Sequence, residues 1–367
     1  MLVVMVLVGA CGDDTSVQID AAAVDSNPTV TEGDHVQGLK QHAQGETDSG
    51  ALPTILATTR LWGDLVSGIV CDGQAHVKIL MPMGADPHTY QLSLADRAVL
   101  QDASLVVMNG VLEEGVATTI RSVEDAGGNV FRAMDYLDAG VDSSNNVHSS
   151  NHGVSKHGDQ HSDQHSDQHS DQHSDHRHMV DPHIWTDPVQ VSAVLPKLAS
   201  RIAQVLGLQF SDLDRCLERA QASLAQVHAE ILGMVAGVPR DNRILVMDHD
   251  FLHPFADRYG FEVFGSVIEG NSTLAASNPA HMKKLSQRMK ANGVSVVFAE
   301  DGRSTKDAEA LAQDLGGGTK VVKLFSDGLP GDASGPFSYT ELLRTNARLI
   351  TDALSVDANK PRRVGSG

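Results

Sequence analysis

The chain has 367 residues, 41% of them hydrophobic, with 28 Lys and Arg against 47 Asp and Glu and a formal charge of −19. That length allows two lobes, each with its own core. The acidic balance excludes the basic footprint of a nucleic-acid partner and favours solubility and attraction of cations.

Residues 1–10 read MLVVMVLVGA, and Cys11 follows at once. Such a run is too short for a membrane-spanning helix, which takes about 20 residues, and it reads as a signal peptide. Val8-Gly9-Ala10-Cys11 resembles the bacterial lipobox. That resemblance implies cleavage before Cys11, a lipid on the new terminal cysteine, and an extracytoplasmic, membrane-anchored protein. Residues 11–50 are rich in Asp, Gly, Ser, Thr, Gln and Ala. They bury too little apolar surface to offset their ordering entropy, so a flexible tether is expected after Cys11.

The pattern changes at residue 51. Strand-like runs at 54–58, 76–81, 104–108 and 129–134 alternate with helical patterns near 61–69, 93–101 and 114–125. Strands alternating with helices predict βαβ units and a parallel sheet, here an N-terminal α/β lobe over 51–147. Residues 148–180 form a low-complexity, His-rich loop in which His157, His161, His165, His169, His173, His176 and His178 recur. Ser, Asp and Gly are weak helix formers and no apolar stripe exists to dock a helix, so an irregular loop is predicted.

A second block spans 181–208. Asp187-Pro188 is a good helix start, and Val191, Val194, Leu195, Leu198, Ile202, Val205 and Leu206 then recur at helical spacing up to Gly207. Pro196 lies inside that pattern and predicts a bend. Over 209–355 a helical pattern at 211–236 precedes a second α/β alternation. Its strands are predicted at 243–247, 261–267, 294–298 and 320–325, and its helices at 251–259, 279–291, 305–315 and 339–354. Residues 356–367 are a tail. The fold class is therefore α/β, with two lobes, each a parallel sheet flanked by helices, joined by a long helix.

Ligands of open parallel sheets lie beyond the carboxyl ends of strands. His88 follows the second predicted strand, His249 and Asp327 directly follow two strands of the second lobe, and His183 lies on the path between lobes. Three imidazoles and one carboxylate make a suitable zinc shell. Taken singly, each has an ordinary reading: a satisfied polar group beside a strand end, or for Asp327-Gly328 the start of a turn. Three cysteines do not make a disulfide framework. Cys71 and Cys216 are open to pairing, or to being two small buried apolar groups.

Five ordered blocks carry a family resemblance. Gly84-Ala85-Asp86-Pro87-His88-Thr89-Tyr90 with Leu92-Ser93 and Asp96 resembles G-x-D-P-H-x-Y-x-L-S-x-x-D. The run from Ala103 to Gly110 with Leu112-Glu113 resembles A-D-L-V-V-x-N-G-x-x-L-E. Asp181-Pro182-His183-Ile184-Trp185-Thr186-Asp187-Pro188 resembles D-P-H-x-W-L-D-P. His249-Asp250 with Phe255-Ala256 and Tyr259-Gly260, and Leu324-Phe325-Ser326-Asp327 with Tyr339 and Asn346, resemble the last two blocks. These are blocks of the zinc- and manganese-specific solute-binding proteins of ABC importers.

The resemblance implies two α/β lobes bridged by a long helix, with a metal held between them by His88, His183, His249 and Asp327. It implies delivery to the membrane permease of an ABC transporter, by a monomer that is not an enzyme. Manganese members carry Glu where this chain has His249, so the third imidazole implies Zn²⁺. The His-rich insertion, typical of zinc members, implies auxiliary weak sites. Phe251-Leu252-His253-Pro254 departs from the family pattern and makes His253 a further candidate ligand. The rival readings are a zinc hydrolase, with three ligands and an activated water, and a metal-binding surface adhesin.

Overall fold

The computed structural model describes residues 52–137, 181–270, 277–301, 303–316, 318–325 and 338–355. All of them fall in the unit Gly50–Gly367. The N-terminal lobe is β1 (Thr54–Ala57), α1 (Arg60–Ile69), β2 (His76–Ile79), α2 (Leu94–Asp102), β3 (Leu105–Met108), α3 (Glu114–Asp125) and β4 (Val130–Arg132). Two helices follow, α4 (Pro188–Leu206) and α5 (Asp214–Ala236). The second lobe is β5 (Ile244–Met247), α6 (His253–Tyr259), β6 (Glu262–Ser266), α7 (Pro279–Asn292), β7 (Val296–Glu300), α8 (Lys306–Leu315), β8 (Lys320–Leu324) and α9 (Tyr339–Ser355).

The two sheets repeat one topology, in the orders β2-β1-β3-β4 and β6-β5-β7-β8, with every pair parallel. Their central strands are apolar without alternation because helices cover both faces. Successive side chains still point to opposite sides. Leu56, Val106 and Met108 face an outer core with Leu100, Val116 and Ile120. Ile55, Ala57, Leu105 and Val107 face inward, into a core that continues through α4, α5 and α9 to Leu245, Met247 and Phe298 of the second lobe. The lobes therefore share one buried interior.

Local chemistry sets the ends of these elements. Ser93 and Asp96 form a reciprocal capping box on α2. Asp187 caps α4 at the Val189 N–H, and Gly207, at φ 67°, ends it in the left-handed region that suits glycine. Pro196 sits inside an uninterrupted α4. Proline removes the bond to the carbonyl four residues back, and that carbonyl, on Ser192, accepts a hydrogen bond from Gln221 Nε2 of α5 at 3.2 Å. A neighbouring helix thus supplies the donor that Pro196 lacks. The strand predicted at 129–134 is shorter, because Ala133–Tyr136 winds into a 3₁₀ turn. The helix predicted at 251–259 starts only at His253, with Pro254 in its first turn, where the missing N–H costs no helical bond.

Side chains bolt the halves together. Arg258 pairs with Asp187 at 2.8 Å, Tyr339 Oη donates to the Trp185 carbonyl at 2.6 Å, and Asp64 of α1 accepts the Tyr339 N–H at 2.9 Å. Cys71, just past α1, and Cys216, in the first turn of α5, form a disulfide with a Cα–Cα distance of 5.9 Å. This decides the alternative that sequence left open.

Candidate metal centre

Both sheets change strand direction of progression beside their first strand, β1 and β5, which opens a crevice at the carboxyl ends. The loops leaving those ends carry His88 and His249, and the segment entering α4 carries His183. The three imidazoles meet. Their ring centroids lie 6.0, 6.1 and 5.6 Å apart, and one ligand nitrogen from each lies within 4.8 Å of the others. A tetrahedral ion with Zn–N bonds of about 2.0–2.1 Å holds its donors about 3.4 Å apart, a contraction within reach of small ring rotations.

Each ring is placed by a short local device. In Asp181-Pro182-His183, Asp181 Oδ1 accepts both the His183 backbone N–H and its Nδ1, each at 2.8 Å. Asp248 Oδ1 does the same for His249, at 2.7 and 2.9 Å, while its Oδ2 takes the Glu300 N–H at 2.8 Å. Asp86 Oδ1 accepts the His88 N–H at 2.9 Å. With Nδ1 engaged, Nε2 of His183 and of His249 is left buried without a hydrogen-bond partner, as are both ring nitrogens of His88. Buried polar atoms without partners are rare. Three sets converging on one point fit the donor set of a cation that prefers nitrogen.

The support beneath the rings is also polar. Glu113 is buried and accepts the N–H groups of Asn109 and Gly110 at 3.2 and 3.1 Å, together with the Thr58 hydroxyl at 2.5 Å. Burial pushes its carboxyl above the usual range, and those donors pull it back. Asn109 so fixed donates from Nδ2 to the Pro182 carbonyl at 2.8 Å, holding the loop of His183. Trp185 and Phe251 stand edge-on to the His183 ring, and Phe251 stacks on His249. Across the cleft, Arg303 reaches Asp86 at 3.5 Å and Glu300 at 3.3 Å.

Burial pushes His88 down to about 4; Asp86 opposes this, and the neighbouring imidazoles and Arg303 add to it. The ring is thus neutral, the form a metal takes, across the neutral range. In the metal-free protein this has a sign. Between about 4 and the ordinary 6.5 the unfolded chain binds more protons at His88 than the folded one. Stability therefore falls as pH drops through that window and levels off below it. Thermal melts of the metal-free parent should lose more stability between pH 6.5 and pH 4 than those of His88→Gln. Parallel curves would refute it.

Of the other predicted residues, Asp327 lies outside the described residues, although Asn346 Oδ1 holds the Phe325 N–H two positions earlier at 2.9 Å. Cys11, His157, His161, His165, His169, His173, His176 and His178 also lie outside them, as does the boundary predicted at 147. His253 does not join the three rings. Its Nε2 pairs with Asp250 at 2.9 Å, and that bond raises its pKa against the effect of burial. Sequence reasoning passed over the carboxylates behind the rings. Their signal was present: Asp181 stands two residues before His183, and Asp248 one before His249.

Comparison with known proteins bears on the family and the fold. Residues 55–353 match the family described as zinc-uptake complex component A, periplasmic. The chain is 24% identical over 320 residues to the zinc-binding protein TroA of Treponema pallidum, covering 86% of this chain and 93% of that one. In Bacillus subtilis it is similar to the manganese-binding lipoprotein MntA, 23% identical over 308 residues (82% and 89% of the two chains). The high-affinity zinc uptake system protein ZnuA of the same organism is 23% identical over 282 residues (76% and 81%). The fold superposes on the solved structure of the periplasmic zinc-binding protein TroA with a TM-score of 0.68 at 23% identity, covering 83% of this chain and all of that one. By the extent of that match and the order of its blocks, the chain belongs to the family of zinc-uptake complex component A.

Proposed function

We propose that this protein captures Zn²⁺ outside the cytoplasm and delivers it to the membrane permease of an ABC importer. The observation that carries the reading is the convergence of His88, His183 and His249, fully enclosed, with unpartnered nitrogens facing one another. Three imidazoles favour zinc over manganese, which suits carboxylate-rich sites better. Asp327 is proposed as the fourth ligand, closing the shell as in a site that holds its metal rather than one that activates water. The His-rich stretch 148–180 would add weak sites, and Cys11 would carry the lipid anchor.

The disulfide supports an oxidising, extracytoplasmic location. Among the described residues no helix is long and apolar enough to cross a membrane. The sharing of one interior by both lobes supports release by small local movements of the ligand loops rather than wide opening. Metal competition tests the proposal. The purified protein should bind one Zn²⁺ that an equal concentration of Mn²⁺ does not displace. A site that prefers Mn²⁺, or that hydrolyses esters or peptides once loaded, would overturn it.

A further inference from the structure

We infer that Glu114 is the positioning residue for His88, holding Nδ1 so that Nε2 faces the metal, in an inference that rests on the metal-binding reading above. The two D-P-H loops look equivalent in sequence and differ in space. Asp181 turns one oxygen onto both the backbone and the ring of His183. Asp86 takes the His88 backbone N–H with Oδ1, and its Oδ2 faces Arg303 at 3.5 Å. The His88 ring is left with a buried Nδ1 that no hydrogen bond satisfies. The carboxylate opposite that atom is Glu114, whose Oε2 lies 3.5 Å away.

Glu114 is held there by its neighbours. It opens α3. A Cβ on Gly115 would meet the Tyr90 carbonyl oxygen at 2.0 Å, so only glycine lets the first turn of α3 lie against the segment two residues past His88. On the other side, Glu113 is tied down by Thr58, Asn109 and Gly110. The Glu114 backbone is thus fixed on both flanks, while its side chain is 41% exposed and the His88 side chain 1%. At 3.5 Å the pair is a long polar contact between a carboxylate and a neutral ring rather than a tight hydrogen bond. A metal on Nε2 makes the Nδ1–H a stronger donor, and a short movement of an exposed carboxylate closes the gap. All three imidazoles then carry the carboxylate–imidazole–metal arrangement that fixes ring orientation.

The test uses the full chain loaded with zinc. Long-range ¹H–¹⁵N NMR of the imidazoles should show His88 metallated at Nε2, with a slowly exchanging Nδ1–H. In Glu114→Ala that proton should exchange rapidly and zinc affinity should fall about tenfold, the lower end for loss of such a partner. Glu114→Gln keeps an acceptor oxygen without the charge and should fall between. Metallation of His88 at Nδ1 would overturn the inference, as would parental affinity in Glu114→Ala. A Co²⁺ absorption spectrum showing one ligand fewer in that variant would overturn it too, by making Glu114 a direct ligand. A parent that binds no zinc tightly would instead sink the metal-binding reading itself.

Discussion

Replacing His183 by alanine is expected to weaken zinc binding by two to three orders of magnitude, the largest single effect at this centre. The side chain is wholly buried. Its Nδ1 is committed to Asp181, and Nε2 has no partner but the point where the three rings converge. Its loop is clamped twice, by Asn109 on the Pro182 carbonyl and by Tyr339 on the Trp185 carbonyl. The donor is therefore in place before the metal arrives, and little ordering entropy opposes its use. If a free energy on the order of 10–16 kcal/mol is shared among four donors, one donor is worth about 2.5–4 kcal/mol. That is roughly a hundredfold to a thousandfold in Kd. Titration against a chelator of known affinity measures it. Because the ring also packs against Trp185 and Phe251, melts of the metal-free variant must accompany the titration. A variant that folds and binds zinc as tightly as the parent would remove His183 from the site.

What sequence could and could not disclose divides along range. The strands were legible because a parallel strand covered on both faces is a short apolar run, as in Ile244–Met247 and Val296–Glu300. His88 and His249 were legible because the α/β architecture places ligands at strand ends. Features made by contact between distant segments were not. The donor that Gln221 lends to the Ser192 carbonyl lies 29 residues away, so the sequence could not show how that carbonyl is satisfied where α4 runs on through Pro196. His253 looked like a ligand because Phe251-Leu252-His253-Pro254 departs from the family pattern, but it lies on the first turn of α6, beside Asp250. Glu114 passed unnoticed because its meeting with His88 depends on the space that Gly115 leaves beside Tyr90.

The pairing of Cys71 with Cys216 is of the same long-range kind, and removing it is expected to cost about 2–5 kcal/mol of stability. The bridge spans 145 residues. Chain entropy for a loop of that length comes to about 5 kcal/mol at 25 °C, an upper figure because cross-links often deliver less. Asp72 and Arg215, next to the two cysteines, form an ion pair across the same contact. Gln74 Nε2 adds a long contact to the Asp212 carbonyl at 3.5 Å. Together they fasten the end of α1 to the start of α5, which itself packs on α4 and α9. The site should feel little of this. α1 leaves the carboxyl edge of β1, where the imidazoles gather, and runs back toward the opposite edge. Its ten residues carry the chain about 15 Å away before Cys71 is reached. Denaturant unfolding of the metal-free Cys71→Ala/Cys216→Ala protein should therefore show the loss, while its zinc affinity stays within about twofold of the parent, a difference of about 0.4 kcal/mol. A stability change below about 1 kcal/mol would mean that packing of α1 on α5 already restrains the chain as the bond does. A parallel fall in affinity would mean that the three imidazoles depend on how the first lobe is seated on α5, and that reduction of the bond releases the metal.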